Sequence, residues 1–78
     1  MTPKTIKQLI KIRFPDADIE VESEDGTHFR ASIVSELFAG KSMLQQHRMV
    51  YEALGNKIGQ DIHALSLKTL TPHQYKKM

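Results

Sequence analysis

The chain has 78 residues, 40% hydrophobic and 26% charged. These are ordinary globular proportions that disfavour disorder and a membrane class, and a domain this short buries only about 60% of the surface its unfolded chain exposes, leaving no room for a deep enclosed active site. The absence of cysteine excludes disulfides, thiolate metal sites and thiol catalysis by this chain alone, and a formal net charge of +2 is too small to mark a nucleic-acid binder.

The charge is unevenly spread. Lys4, Lys7, Lys11 and Arg13 come first, the acidic residues from Asp16 to Asp25 follow, and Lys76 and Lys77 lie near the end. Such a pattern reads either as two solvated surfaces or as a field that steers a charged partner.

Thr2 followed by Pro3 reads as an N-cap and first helical position, and Ile6, Leu9, Ile10 and Arg13 recur at helical spacing. Lys4, Lys7 and Lys11 make a basic outer stripe, and Pro15 ends the helix. The segment after Met1 carries charges throughout, and no apolar run approaches the ~18 residues of a spanning helix. No membrane association and a cytoplasmic location are the expectations.

In DIEVES, Ile19 and Val21 alternate with Glu20 and Glu22, the period of a half-buried strand. After the EDG turn, Phe29, Ala31 and Ile33 alternate within His28 to Val34, so the two strands predict a hairpin. SELF predicts about one helical turn before an AGKS loop. Ser42 and Gln45 form a capping box that opens a longer helix, with Leu44, His47, Val50, Tyr51, Leu54 and Ile58 as its apolar stripe, Gly55 weakening its end and Gly59 stopping it. Ile62 to Leu70 alternates as a third strand, and Thr71, Pro72 and Gln74 cap a final short helix.

The order α-β-β-α-α-β with a short C-terminal helix predicts a single α+β domain over 1–78, its three-stranded sheet covered by helices on one face. The same order belongs to type II KH folds, whose RNA-binding members clamp the backbone with a GXXG loop. AGKS supplies Gly40 alone, with Lys41 and Ser42 where the second half of the clamp would be.

SELFAGKSMLQQHRMVYEAL from Ser35 to Leu54, followed by IHALSLKTLTP from Ile62 to Pro72, resembles the BolA family. HF, IVSELF, a Gly-Lys loop, HR, and IHAL with TLTP fall in family order and span most of the chain. The resemblance implies a partner-binding protein that shares a [2Fe-2S] cluster with a monothiol glutaredoxin. The glutaredoxin cysteine and a bound glutathione would supply sulfur ligands, with no cluster held by the isolated chain, which is a monomer alone or a weak homodimer.

Imidazole is the one strong soft-metal ligand available here. By strand parity His63 groups with Leu65 and Leu67 and reads as a partly buried residue at the core edge, whereas the resemblance implies the main cluster ligand in the IHAL context. BolA proteins often take a second ligand from the loop between the first two strands. That loop is short here, as in the shorter-loop bacterial branch, and holds Ser23, Glu24, Asp25, Gly26 and Thr27, so His28 is the nearest substitute. Asp25 ranks behind it because carboxylates are harder ligands.

His47 reads as a packed residue and His73 as an exposed one. Arg48 completes the HR pair; Gln46 replaces the arginine that often precedes it, trimming the basic surface. No catalytic carboxylate pair, nucleophile triad, phosphate loop or zinc spacing is present, so no enzyme is expected. The competing class is a DNA- or RNA-binding transcriptional regulator using Lys41, Arg48 and Lys57, with weak nucleic-acid affinity at most; a third is an adaptor without a cluster.

Overall fold

The computed structural model describes residues 1–58, 62 and 64–77. Helix α1, Pro3–Arg13, starts where Thr2 Oγ1 accepts the Thr5 N–H at 3.2 Å. Its chain leaves at Phe14, whose N–H still reaches the Ile10 carbonyl. Ile6 and Ile10 are buried while Lys4, Lys7 and Lys11 stay on the surface, as the spacing predicts. Lys11 Nζ donates to the Ala17 carbonyl at 2.7 Å and braces the turn into the first strand.

Strand β1, Asp18–Glu22, pairs antiparallel with β2, His28–Val34, placing Ile19 opposite Ile33 and Val21 opposite Ala31. Strand β3, Ala64–Leu70, lies parallel to β2 on its other side, with Phe29 opposite Leu65 and Ala31 opposite Leu67. The order is β1-β2-β3. Because successive side chains alternate between faces, this register gathers the odd-numbered apolar residues under the helices and turns Glu20, Glu22, Arg30, Ser66 and Lys68 outward.

A parallel pairing needs a crossover. Here it comprises a 3-10 turn at Glu36–Phe38, helix α2 at Met43–Leu54 and a second 3-10 turn at Gly55–Lys57. The Ser42–Gln45 capping box is present in both directions. Helix α3, Pro72–Lys76, follows β3 and repeats the box with Thr71 and Gln74. The core joins Ile6, Ile10 and Phe14 to Ile19, Phe29 and Ile33 from the sheet and to Phe38, Val50, Leu54 and Ile62 from the crossover. Phe14 and Phe38 pack as a tilted ring pair with centroids 5.1 Å apart.

Three expectations are corrected. Helix α2 ends at Leu54, well short of Gly59, which lies outside the described residues. Gly55, at φ +59°, leaves the helical region, and its N–H closes the last turn on the Tyr51 carbonyl.

The inward face of α2 is Gln46, Val50 and Leu54, with Met49 and Ala53 packed beside them. Leu44 is 66% exposed and Tyr51 41%, so neither belongs to a buried stripe. His47 is half-buried. Apolar side chains surround more than one face of this helix, and packing against α1 and β3 selects among them.

The third strand is described over Ala64–Leu70, and Ile62, expected as its first residue, instead makes an isolated parallel bridge with Ile58. Among the described residues no helix is long and apolar enough to cross a membrane.

Candidate functional site

The β1–β2 turn is built around one carboxylate. Gly26 adopts φ +79°, a region that suits glycine, and reverses the chain after Asp25. Asp25 Oδ1 accepts the backbone N–H groups of Thr27 at 2.9 Å and His28 at 2.8 Å. Ser23 Oγ accepts the Gly26 N–H at 2.9 Å and donates to the His28 carbonyl at 2.7 Å.

The second Asp25 oxygen, Oδ2, lies 2.7 Å from His28 Nδ1, and Thr27 Oγ1 lies 3.1 Å from the same nitrogen. The backbone N–H of His28, then that of Thr27, then the His28 ring hold the Asp25 carboxyl well below the usual carboxylate range. These hydrogen bonds favour the charged form of an exposed group.

His28 heads β2 on the outward face, opposite to Phe29. Its side chain is 66% exposed. Its partner across the parallel pairing is Ala64, the residue after His63 in the sequence. Asp25, His28, Arg30, Ala64 and Ser66 help to line a surface concavity of about 320 Å³. Arg30 reaches Glu22 at 3.2 Å and Glu24 at 3.8 Å, so its cationic head is turned toward carboxylates. His63 itself lies outside the described residues.

Among the described residues no group of three or more His, Cys, Asp or Glu side chains is gathered as a metal site. The donor chemistry at His28 still fits a shared iron-sulfur group. An imidazole suits iron, and with Nδ1 turned to Asp25 the ring keeps Nε2 for a ligand. Asp25 itself is already occupied by two amides and the ring.

The basic candidates divide. Lys41 and Arg48 are exposed and line one depression of about 210 Å³ together with Gln45, Met49 and Glu52. Glu52 pairs with Arg13 at 3.6 Å. Lys57 belongs to the 3-10 turn beyond α2, about 18 Å of helix from Lys41. The structure therefore brings two of the three together.

The sequence places Gln46 on the charged surface, whereas the residue is 7% exposed and its side chain points inward. Its Nε2 donates to the Phe38 and Lys41 carbonyls at 3.2 and 3.0 Å, and its Oε1 accepts from Thr69 Oγ1 at 2.6 Å. Position 46 thus latches the Gly-Lys loop to β3. No periodic pattern announces a buried amide, so this role escapes the sequence. His73 is exposed in the first turn of α3, as expected.

Residues 11–74 match the family model described as BolA-like protein. The chain belongs to the BolA family. This BolA chain is 36% identical over 70 residues to BolA-like protein 1 of Mus musculus, covering 90% of itself and 51% of that relative. It therefore spans about half the length of the curated relatives it first matches.

A solved BolA homologue from Coxiella burnetii superposes with a TM-score of 0.85 at 43% identity, each chain covered to 97%. The BolA domain of SufE1 from Arabidopsis thaliana superposes at 0.81 with 30% identity, over 91% of this chain and 92% of that one. The element order of this BolA chain is thus that of an established fold.

Proposed function

We propose that this BolA protein is a non-enzymatic, cytoplasmic partner of a monothiol glutaredoxin, with which it shares a [2Fe-2S] cluster for iron-sulfur trafficking or iron sensing. His63 is the principal ligand and His28 the second. The observation that carries the reading is the parallel pairing of His28 with Ala64, because it sets an exposed imidazole across from the IHAL segment that resembles the family's ligand region. His28 and Ala64 are 36 residues apart in sequence, so their pairing depends on tertiary structure.

A [2Fe-2S] cluster takes four ligands, and two histidines on one iron have precedent in Rieske centres. Lacking cysteine, this chain offers imidazoles only. The thiolates come from the glutaredoxin cysteine and glutathione in a reducing compartment. Neutral imidazole in place of thiolate lowers the negative charge around the iron and alters potential and lability, which suits transfer or sensing. Arg30 and the carboxylates of Glu22 and Glu24 form a charged rim beside the site that can orient an approaching partner.

The test mixes the purified chain with cluster-loaded monothiol glutaredoxin and glutathione, and follows visible absorption, circular dichroism and co-elution. A new spectrum on a co-eluting complex is expected. Unchanged spectra without co-elution, or a stable cluster on the isolated chain, would overturn the proposal.

A second reading, as a DNA- or RNA-binding transcriptional regulator, is favoured by the shared depression of Lys41 and Arg48 beside a glycine turn. Glu52 in the same depression and the acidic β1 weaken a phosphate footprint, so any nucleic-acid binding is weak and electrostatic.

A further inference from the structure

The two oxygens of Asp25 have different tasks: Oδ1 accepts both turn amides, and Oδ2 faces His28 Nδ1 alone. An ionised carboxylate only accepts hydrogen bonds, so a 2.7 Å contact requires the proton to sit on Nδ1. Thr27 Oγ1, at 3.1 Å from the same nitrogen, is then a second acceptor for that proton. In a neutral ring this leaves Nε2 with its lone pair.

We infer that Asp25 is a positioning residue: it holds the neutral His28 ring as the Nδ1–H tautomer and so presents Nε2 as the donor atom to a soft metal centre. Its consequence for the cluster rests on the function proposed above, whereas the tautomer is a property of the isolated chain. Metal-bound histidines commonly donate their other ring N–H to a carboxylate, which fixes ring orientation and raises ligand basicity. Carboxylate, turn and imidazole lie within three residues of one another here, so orientation of the ring is coupled to formation of the hairpin itself.

Asp25→Asn separates positioning from folding. The asparagine carbonyl can keep the two amides now on Oδ1, while its NH₂ group replaces Oδ2 and presents a donor to Nδ1. Nδ1 must then accept, and the ring proton moves to Nε2. The turn survives and the donor atom is lost. Alanine at the same position would remove both functions and serves only to show what loss of the turn looks like.

The primary measurement is long-range ¹H–¹⁵N NMR of the isolated full chain at about pH 8.5, above the ordinary imidazole range. The wild-type His28 ring is expected as Nδ1–H and the Asp25→Asn ring as Nε2–H, with the Thr27 and His28 amide signals little shifted between them. A wild-type ring in the Nε2–H form, or the same tautomer in both proteins, would overturn the inference.

In the complex with cluster-loaded glutaredoxin, Asp25→Asn should reproduce the circular dichroism change caused by His28→Ala and speed cluster loss about tenfold, the lower end of typical outer-shell effects. A change with His28→Ala but none with Asp25→Asn overturns the positioning role and leaves the ligand role standing. No change with either variant also overturns it, since no ligand is then being positioned. Failure of the glutaredoxin reading itself is distinguished by the absence of co-elution with the wild-type chain.

Discussion

Ser35 Oγ donates to the Asp16 carboxylate 19 residues earlier in the chain, at 2.9 Å to one oxygen and 3.1 Å to the other. Ser35 is fully buried, and its Oγ also accepts the Leu37 N–H at 3.1 Å. Asp16 Oδ2 accepts the Glu36 N–H at 2.9 Å. One carboxylate from the turn after α1 therefore caps the first turn of the crossover and satisfies a hydroxyl that has no access to water.

Asp16→Ala is expected to destabilise the protein by about 1–2 kcal/mol, the range for loss of a side-chain cap. The Glu36 N–H, opposed by burial and aided by the Ser35 hydroxyl, holds the Asp16 carboxyl below its ordinary 3.8. A depressed carboxyl contributes its stability above the unfolded pKa and loses it as pH falls through the folded one. The wild-type advantage over the variant should thus be full at neutral pH and shrink from about pH 4 downward. Urea midpoints across that window check it; a pH-independent difference would assign the loss to packing instead.

Gln46→Ala should cost about 1–3 kcal/mol, because the Phe38 and Lys41 carbonyls and the Thr69 hydroxyl each lose a partner inside the fold. In a domain of this size that lowers the melting temperature by about 4–8 °C per kcal/mol. A double-mutant cycle with Thr69→Val should be clearly non-additive, since both changes delete the same 2.6 Å bond.

His63→Ala is expected to abolish the visible circular dichroism of the glutaredoxin heterocomplex while the melting temperature of the isolated chain stays unchanged. His28→Ala should shift the spectrum or increase lability without abolishing it. If His63→Ala instead lowers stability by ~1–3 kcal/mol and leaves the complex spectrum intact, the histidine has a core role.

Labelled DNA and RNA titrated at several salt concentrations should bind weakly, with affinity falling steeply as salt rises through counterion release. Lys41→Ala and Arg48→Ala should each reduce the salt slope by about 1 without changing sequence preference. Sequence-selective binding that survives physiological salt and disappears with either change would instead favour the regulator.

The sequence by itself determined what is set within a few residues. The caps at Thr2, Ser42 and Thr71 each act on a backbone N–H three residues on. The hairpin follows from alternation in DIEVES and HFRASIV, and the BolA resemblance from ordered motifs. Even the Asp25–His28 contact spans only three residues across a DG turn, so its elements were on view although its geometry was not.

Tertiary structure alone decided the rest. Met43, Leu44, Met49, Val50, Tyr51 and Leu54 surround much of α2, so helical period could not choose an inward face; contact with α1 and β3 left Leu44 and Tyr51 in solvent and drew in Gln46. The Asp16–Ser35 and Gln46–Thr69 bonds close 19 and 23 residues of chain, and parallel pairing carries Ala64 to His28 across 36. Their partners meet only when burial of the shared core offsets the entropy of closing those loops, and no local spacing encodes that balance.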